Sequence, residues 1–108
     1  MATELVLDSV RRYLRRLRET GITVSFGVIF GSQATGMADE WSDIDVLVVS
    51  PAFDRLTSRR LVNLLWRIAA QTDSRIEPVP CGLKRWYEDD VSPLVERARR
   101  EGRQVVVS

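Results

Sequence analysis

The sequence predicts an α/β (α+β) fold, in which helices flank a small mixed β-sheet. Three observations predict it. Amphipathic helical stretches alternate with short β-branched strands, glycine or proline marks several element ends, and the order is helix, strand, strand, helix, strand, helix, strand. The chain has 108 residues, of which 44% are hydrophobic, and this suits a single small domain over residues 1–108.

The first half of the chain is expected to contain one helix followed by two strands. Residues 4–19 are predicted as the helix, because apolar side chains recur at helical spacing and Gly21 follows its end. Residues 22–30 and 43–49 are rich in β-branched or aromatic side chains and are predicted as strands. The apolar stripe of the helix consists of Val6, Val10, Tyr13, Leu14 and Leu17.

The strand at 22–30 is predicted to be packed on both sides, because apolar residues occur on both of its faces. A polar loop with one helical turn after Ser32 is expected to join it to the next strand. One face of the strand carries Val24, Phe26, Val28 and Phe30, and the opposite face carries Ser25, Gly27 and Ile29.

The second half begins with the clearest helix, at 57–72, which Thr57 or Ser58 can cap. A third strand is predicted at 74–79, and Pro78 indicates that this strand either ends there or lies at an edge of the sheet. The apolar stripe of the helix is formed by Leu61, Leu64, Leu65 and Ile68.

The last part of the chain is expected to hold a helical turn at 84–90, a helix and a short strand. Ser92 and Pro93 are typical of a helix start, and the helix should run to about Arg100 and end at Gly102. The closing QVVV is predicted as a final strand.

Composition excludes several kinds of site. The chain has no histidine, so a histidine general base, a Ser-His-Asp triad and a histidine-ligated zinc are impossible. Cys81 is the one cysteine, so no internal disulfide can form. The net charge is +1, which does not favour direct nucleic-acid binding. The N-terminus lacks a run long enough for a signal peptide or membrane span, so a cytoplasmic location is expected.

Gly31 and Ser32 follow the first strand directly. Glycine allows the backbone to approach a phosphate closely, and backbone amides together with the serine hydroxyl can donate to phosphate oxygens. Taken alone, however, the pair is more typical of a turn in which Ser32 caps a helical turn.

Asp43 and Asp45 stand two residues apart at the start of the second strand. Such residues point to the same face, roughly 6.6 Å apart along the strand. Two carboxylates placed there repel each other unless a cation lies between them, and this spacing suits two divalent ions about 3.5–4 Å apart. The alternative is a solvated strand entry, but aspartate is disfavoured in strands, so a metal site is the favoured interpretation.

Glu77 lies between apolar residues in the third strand. If that strand pairs with the second, Glu77 can point at the same metal site; otherwise it is an edge charge paired with an arginine such as Arg75. An antiparallel arrangement of the first two strands would bring Gly31 and Ser32 beside the aspartates. Such a site can hold a nucleoside triphosphate and place an acceptor hydroxyl in line with its α-phosphorus, with Glu77 as candidate general base.

The combined motif, G-S-Q-A-T-G followed by S-D-I-D-V-L-V-V, resembles the signature of the DNA polymerase β-like nucleotidyltransferase superfamily. Its spacing is similar to that of the minimal nucleotidyltransferases, or MNT proteins, and the resemblance extends over nearly the whole chain. It implies that Asp43, Asp45 and Glu77 hold divalent cations, with two Mg²⁺ ions expected. It also implies that Gly31 and Ser32, followed by Gln33, contact the phosphates of ATP.

Two residues depart from the family pattern. Gln33 stands where many relatives have arginine or tyrosine, and Glu77 stands where aspartate is frequent. Both changes bear on nucleotide affinity or on the rate of transfer, and neither removes a residue type that can serve as a ligand.

The family resemblance also implies a partner. In the minimal family this is commonly a helical HEPN ribonuclease toxin, and the MNT protein acts as its antitoxin by transferring AMP from ATP to a tyrosine of the toxin. The short chain suggests that the acceptor comes on another protein. Two alternatives stay open: an antitoxin that only masks its partner, and a nucleotidyltransferase for a small molecule such as an aminoglycoside. Assembly into a homo-oligomer is also open.

Overall fold

The computed structural model describes residues 3–39, 41–55, 58–89 and 91–107. The elements within these residues confirm the predicted α/β class and the predicted order, and the helical turns expected after Ser32 and at 84–90 appear as short helices after β1 and β3. In chain order they are α1 (Glu4–Glu19), β1 (Phe26–Phe30), α2 (Ser32–Thr35), β2 (Ile44–Ser50), a 3-10 turn (Pro51–Phe53), α3 (Arg59–Thr72), β3 (Ile76–Gly82), α4 (Leu83–Glu88), α5 (Pro93–Glu101) and β4 (Arg103–Val105).

The strands form one mixed sheet in the order β3-β2-β1-β4. β1 runs antiparallel to β2, as expected for strands joined by a loop, and also antiparallel to β4, whereas β2 and β3 are parallel. A parallel pair needs a crossover, and α3 provides it between β2 and β3. The condition on which the interpretation of Glu77 depended, that the third strand lies beside the second, is therefore met.

Each face of the sheet is covered by its own hydrophobic cluster. α1 and α3 pack on one face against Ile29, Val46 and Ile76, among others. Trp86 of α4 and residues of α5 pack on the other face against β1 and β2. The predicted apolar stripe of α1 is wholly buried in the first cluster, which confirms it; in α3, Leu65 and Ile68 are buried and Leu61 and Leu64 pack at its margin.

The predicted strand at 22–30 was too long at its start, because β1 begins at Phe26. Before that residue the backbone bonds locally: the Ile22 amide donates to the Leu17 carbonyl at 3.2 Å, and the Val24 amide donates to the Ile22 carbonyl at 3.0 Å. Strand alternation therefore does not apply to Val24. It packs in the cluster on the α1 side, instead of sharing the face of Phe26 as predicted.

The third strand was predicted at 74–79, whereas β3 covers Ile76–Gly82, so the prediction placed both ends of the strand too early in the chain. Pro78 does not end this strand. β3 lies at the edge of the sheet and has a single neighbour, so a missing N–H is tolerated there.

The helix starts depend on serine caps. Ser58 accepts a hydrogen bond from the Leu61 amide at 3.2 Å at the start of α3, and Ser92 accepts one from the Val95 amide at 3.4 Å at the start of α5. The alternative cap Thr57 lies outside the described residues. No helix in the described ranges combines the length and apolar character needed to cross a bilayer.

Candidate functional site

Gly31 joins β1 to the short helix α2 and has a backbone conformation that favours glycine, with φ 71° and ψ −148°. A side chain at this position would also collide with the Asp45 carboxylate. Positive φ and close packing therefore both require glycine here, and they place the backbone of the turn against one of the predicted metal ligands.

α2 begins at Ser32 immediately after this turn. The amides of Ala34 and Thr35 both donate to the Gly31 carbonyl, at 3.1 and 3.3 Å, and Gly36 ends the helix in the left-handed conformation with φ 80°. First-turn amides of a helix have no acceptor within the helix, so those of Ser32 and Gln33 are the groups that can meet an anion. The sequence prediction of a helical turn after Ser32 is confirmed.

The side chain of Gln33 has a structural contact. It is buried, and its Nε2 donates to the Ser42 carbonyl at 3.3 Å, which joins the two ends of the loop between β1 and β2. A role for Gln33 in nucleotide binding remains a prediction. Its side-chain amide is engaged in this hydrogen bond, so its backbone amide is the group that could contact a phosphate.

Phe30, Asp45 and Glu77 form a row across three neighbouring strands. Phe30 is paired in register with Asp45, and Asp45 with Glu77. Neighbouring strands lie about 4.8 Å apart, so the row is roughly 10 Å long. Alternation along β2 places Asp45 on the sheet face of Leu47, which packs with α4 and α5. Asp43 directly precedes β2 and is exposed.

The carboxylates interact with one another electrostatically. Burial raises the pKa of Asp45, a hydrogen bond with Glu77 partly offsets this, and the charge of Asp43 raises the pKa further. Burial also raises the pKa of Glu77, as do the charges of Asp43 and Asp45 and its hydrogen bonds to both. The structure therefore brings together the three carboxylates that the sequence singled out, Asp43, Asp45 and Glu77, which are called the carboxylate row below. Their mutual repulsion disfavours ionisation of all of them at once.

The donor set fits a hard divalent cation such as Mg²⁺, which prefers oxygen ligands. No group of three or more histidine, cysteine, aspartate or glutamate side chains in the described ranges is already arranged to hold a metal ion. Mg²⁺ needs only one or two protein carboxylates when substrate phosphates and water complete its octahedron. Carboxylates of this row could therefore hold Mg²⁺ together with the phosphates of a substrate.

The loop between α2 and β2 carries two exposed apolar side chains. Met37 is 82% exposed and Trp41 is 83% exposed, although both are large hydrophobic residues. Around them the Ser42 hydroxyl donates to Asp39 at 3.1 Å, and the Trp41 amide donates to the same carboxylate at 2.9 Å. This part of the loop is thus locally braced and presents its apolar side chains to solvent.

The start of α5 forms a wall beside the carboxylate row, and the sequence prediction did not include it. A cavity of about 330 Å³ there is lined by Phe30, Gly31, Asp45, Pro93, Leu94 and Arg97. Ser92 and Pro93 signalled a helix start in the sequence, but no local pattern indicates which surface a helix will meet. Only the packing of α5 on β1 brings these residues to the site.

Solved structures share this fold. A provisionally assigned nucleotidyltransferase from Sulfolobus solfataricus aligns with a TM-score of 0.66 at 16% identity, covering 92% of this chain and 78% of that one. A toxin–antitoxin complex with AMP-PNP aligns at 0.62, with 18% identity over 94% of this chain and 73% of that one. The Shewanella oneidensis complex of a tri-AMPylated HEPN toxin with an MNT antitoxin aligns at 0.56, with 17% identity over 97% of this chain and 72% of that one.

These identities are too low to show more than the common fold. None of the curated proteins matches the sequence. The family model described as "Nucleotidyltransferase domain" matches residues 7–105, which contain the Gly31-Ser32 turn and all three carboxylates. The chain therefore belongs to the nucleotidyltransferase domain family, a family of enzymes.

Proposed function

We propose that this protein transfers AMP, or another nucleoside monophosphate, from a Mg²⁺-bound nucleoside triphosphate to a tyrosine hydroxyl of a HEPN-type toxin, and so acts as its antitoxin. The observation that supports the transfer is the position of Asp43, Asp45 and Glu77 beside the Gly31-Ser32 turn. A turn that can meet phosphates next to oxygen ligands for a divalent cation is what nucleotidyl transfer needs.

Each group has a part in this chemistry. Backbone amides of Ser32 and Gln33, with the Ser32 hydroxyl, hold the β- and γ-phosphates, while Asp43 and Asp45 provide carboxylate oxygens for Mg²⁺. Held there, Mg²⁺ would neutralise the triphosphate and the charge that develops on the leaving group. The acceptor oxygen forms a bond to the α-phosphorus, the bond to the pyrophosphate oxygen breaks, and Glu77 takes the hydroxyl proton.

A protein acceptor is supported by the surroundings of the site. Met37 and Trp41 expose apolar surface on the loop that leads into Asp43, and exposed apolar groups of this kind are typical of docking surfaces. Two structures with the same fold are toxin–antitoxin complexes, one of them containing an AMPylated HEPN toxin. We place the reaction in the cytoplasm, where ATP and Mg²⁺ are both available.

The test is a transfer assay with labelled ATP, Mg²⁺ and the HEPN-type partner, read as added AMP mass on the partner. The double variant Asp43→Asn, Asp45→Asn should lose the label by at least about a thousandfold, because both carboxylate ligands become neutral. Its fold should persist, since the change removes repulsion. Asp8→Asn with Glu88→Gln removes the same charge from exposed positions outside the row and should label normally.

Equal labelling by the Asp43, Asp45 variant and the wild type would refute the proposed mechanism. A wild type that binds its partner and neutralises it without any label would instead support the masking antitoxin. Transfer to an aminoglycoside but not to the protein partner would support the small-molecule enzyme.

A further inference from the structure

The two helices that cover one face of the sheet carry an excess of positive charge, which the net charge of the whole chain conceals. α1 and α3 together contain eight arginines and three acidic residues, a net charge of +5. Because the whole chain has a net charge of +1, the residues outside these two helices carry −4. Asp45 lies on the other face of the sheet with Leu47, so the positive layer is separate from the carboxylate row.

An open groove along α1 gathers part of this charge. One part of the groove has a volume of about 630 Å³ and is bordered by Arg75, and the other has a volume of about 240 Å³ and is bordered by Gln71 near the end of α3. The two parts adjoin, because Arg12 and Arg15 line both of them. The groove is called the arginine groove below, after the five arginines that line it: Arg11, Arg12, Arg15, Arg16 and Arg75.

Hydrogen bonds orient two of these guanidinium groups without cancelling their charge. Arg12 Nη2 donates to the Ser9 hydroxyl at 3.4 Å, and Arg16 Nη2 donates to the side-chain oxygen of Gln71 at 3.2 Å, and both acceptors are neutral. Arg11 pairs with Asp8 at 3.3 Å, but both side chains are exposed, so water and salt weaken this pair. The arginine groove therefore keeps positive charge that an anionic ligand can meet.

The lining of the groove favours phosphates over an acidic protein surface. Guanidinium groups match phosphate oxygens with two parallel hydrogen bonds. Protein interfaces usually have aromatic or aliphatic anchors at their centre, whereas Leu5 is the one large apolar side chain among the described residues that line the groove. None of these lining residues is aromatic, although sites for single strands usually stack bases on aromatic rings. A base-paired ligand, whose phosphates face outward, therefore fits better.

We infer that the arginine groove binds the phosphate backbone of a nucleic-acid duplex without reading its bases. The helix rises about 15 Å between Ser9 and Glu19. This length spans about four phosphates of one strand, which follow each other at about 3.4 Å along a duplex. The inference is independent of the transfer reaction, because it uses no residue of the carboxylate row or of the Gly31-Ser32 turn.

The test is a fluorescence anisotropy titration of a short labelled RNA duplex with the full chain. Four phosphate contacts predict that the affinity falls by about a hundredfold between about 50 and 200 mM salt. A duplex of unrelated sequence should bind within about twofold, since backbone contacts carry no sequence information. Asp8→Asn removes a carboxylate from the groove and should raise the affinity by about twofold.

The variant Arg12→Gln, Arg15→Gln removes the two arginines that line both parts of the groove. It should lower the affinity at about 50 mM salt by about tenfold or more, and it should reduce the slope of log affinity against log salt by about two. Arg12→Lys, Arg15→Lys keeps both charges and should retain most of the affinity. AMP transfer to the protein partner should stay at the wild-type level in both variants.

Arg97→Gln, Arg100→Gln is the matched control. It also removes two arginines three residues apart on one helix, and it lowers the net charge by the same amount, but α5 packs on the opposite face of the sheet. This control should bind the duplex within about twofold of the wild type. Thermal unfolding of every variant checks that the fold is kept.

The inference is overturned if the wild type binds no duplex at about 50 mM salt, or if Arg12→Gln, Arg15→Gln binds as the wild type does. An equal loss in the Arg97, Arg100 control would also overturn it, because net charge and not the groove would then be responsible. Tighter binding of poly-glutamate than of the duplex would assign the groove to an acidic protein surface instead.

Discussion

Asp73 and Glu77 lie only a few residues apart at the start of β3, but their pKa values are shifted in opposite directions. Asp73 is held by Arg75, whose Nη2 lies 2.9 Å from one carboxylate oxygen and whose Nε and backbone amide donate to the other at 3.2 and 3.0 Å. The hydrogen bond from Arg75 lowers the pKa of Asp73, whereas burial and neighbouring carboxylates raise the pKa of Glu77.

The difference distinguishes a carboxylate in a structural ion pair from carboxylates of the candidate site. The positive charge that pairs with Asp73 belongs to Arg75 of the same chain. Asp73 is also hydrogen bonded to Ser9, so it links the turn before β3 to α1. Glu77 and Asp45 have each other and Asp43 as their main electrostatic neighbours. A cluster of like charges is retained at a cost in stability when a cation or a proton from a substrate must be received there.

Among the changes that compare these two regions, replacement of Gly31 should have the largest effect on transfer, because it crowds the candidate site directly. Gly31→Ala places a methyl group against the Asp45 carboxylate at a residue with φ 71°. We expect AMP transfer to fall by about a hundredfold or more, the loss that follows a displacement of about 1 Å in an active site. Single-turnover transfer assays measure it.

Gly21→Ala is the matched control for this variant. Gly21 also has a positive φ, 102°, but a methyl group there meets nothing within 4 Å. It should cost about 1 kcal/mol of unfolding free energy through backbone strain and leave transfer unchanged. A comparable loss of transfer in both variants would show that strain, rather than the contact with Asp45, is responsible.

Removal of the Asp73 carboxylate should have an intermediate effect, on stability. Asp73→Asn is expected to lower the unfolding free energy by about 1 kcal/mol at pH 7, since the side chain is only 14% exposed and loses charge-assisted bonds to Arg75. The pKa of Asp73 is lowered in the folded state. Its contribution is therefore present above the unfolded pKa of about 3.9 and is lost as pH falls through the folded value.

Urea unfolding at pH 7 and at progressively lower pH measures this contribution. The wild type and Asp73→Asn should converge in stability towards acid pH, provided both remain folded there. A difference that stays constant with pH would mean that shape, and not charge, accounts for the effect of Asp73.

The smallest effect is expected at Asp45 and has the opposite sign. The pKa of Asp45 is raised in the folded state, so the stability linked to its protonation is present below about pH 3.9 and is lost as pH rises through the folded value. In Mg²⁺-free buffer at pH 7, Asp45→Asn should therefore be more stable than the wild type by about 0.5 kcal/mol. Thermal unfolding in EDTA tests this, and a destabilised variant would contradict the comparison.

Much of the candidate site could be predicted from the sequence because its groups lie next to strand ends. Asp43 and Asp45 are two residues apart on one strand, and Gly31 and Ser32 directly follow another, so local patterns were sufficient to single them out. The role of Glu77 depended on which strand β3 would pair with, and that is a long-range choice. The limits of β1 and β3 were predicted less well, because hydrogen-bonding partners, and not composition, decide where a strand begins.

The sequence by itself determined the fold class, the apolar faces of α1 and α3, and the types of residue available for chemistry. Tertiary structure decided the rest: the parallel pairing that aligns Glu77 with Asp45, the contact of Gly31 with the Asp45 carboxylate, and the cavity beneath α5. The physical reason is that periodicity and propensity act over a few residues. A site assembled from β1, β2, β3 and α5 depends on packing between residues as far apart in the chain as Phe30 and Arg97, which no local pattern contains.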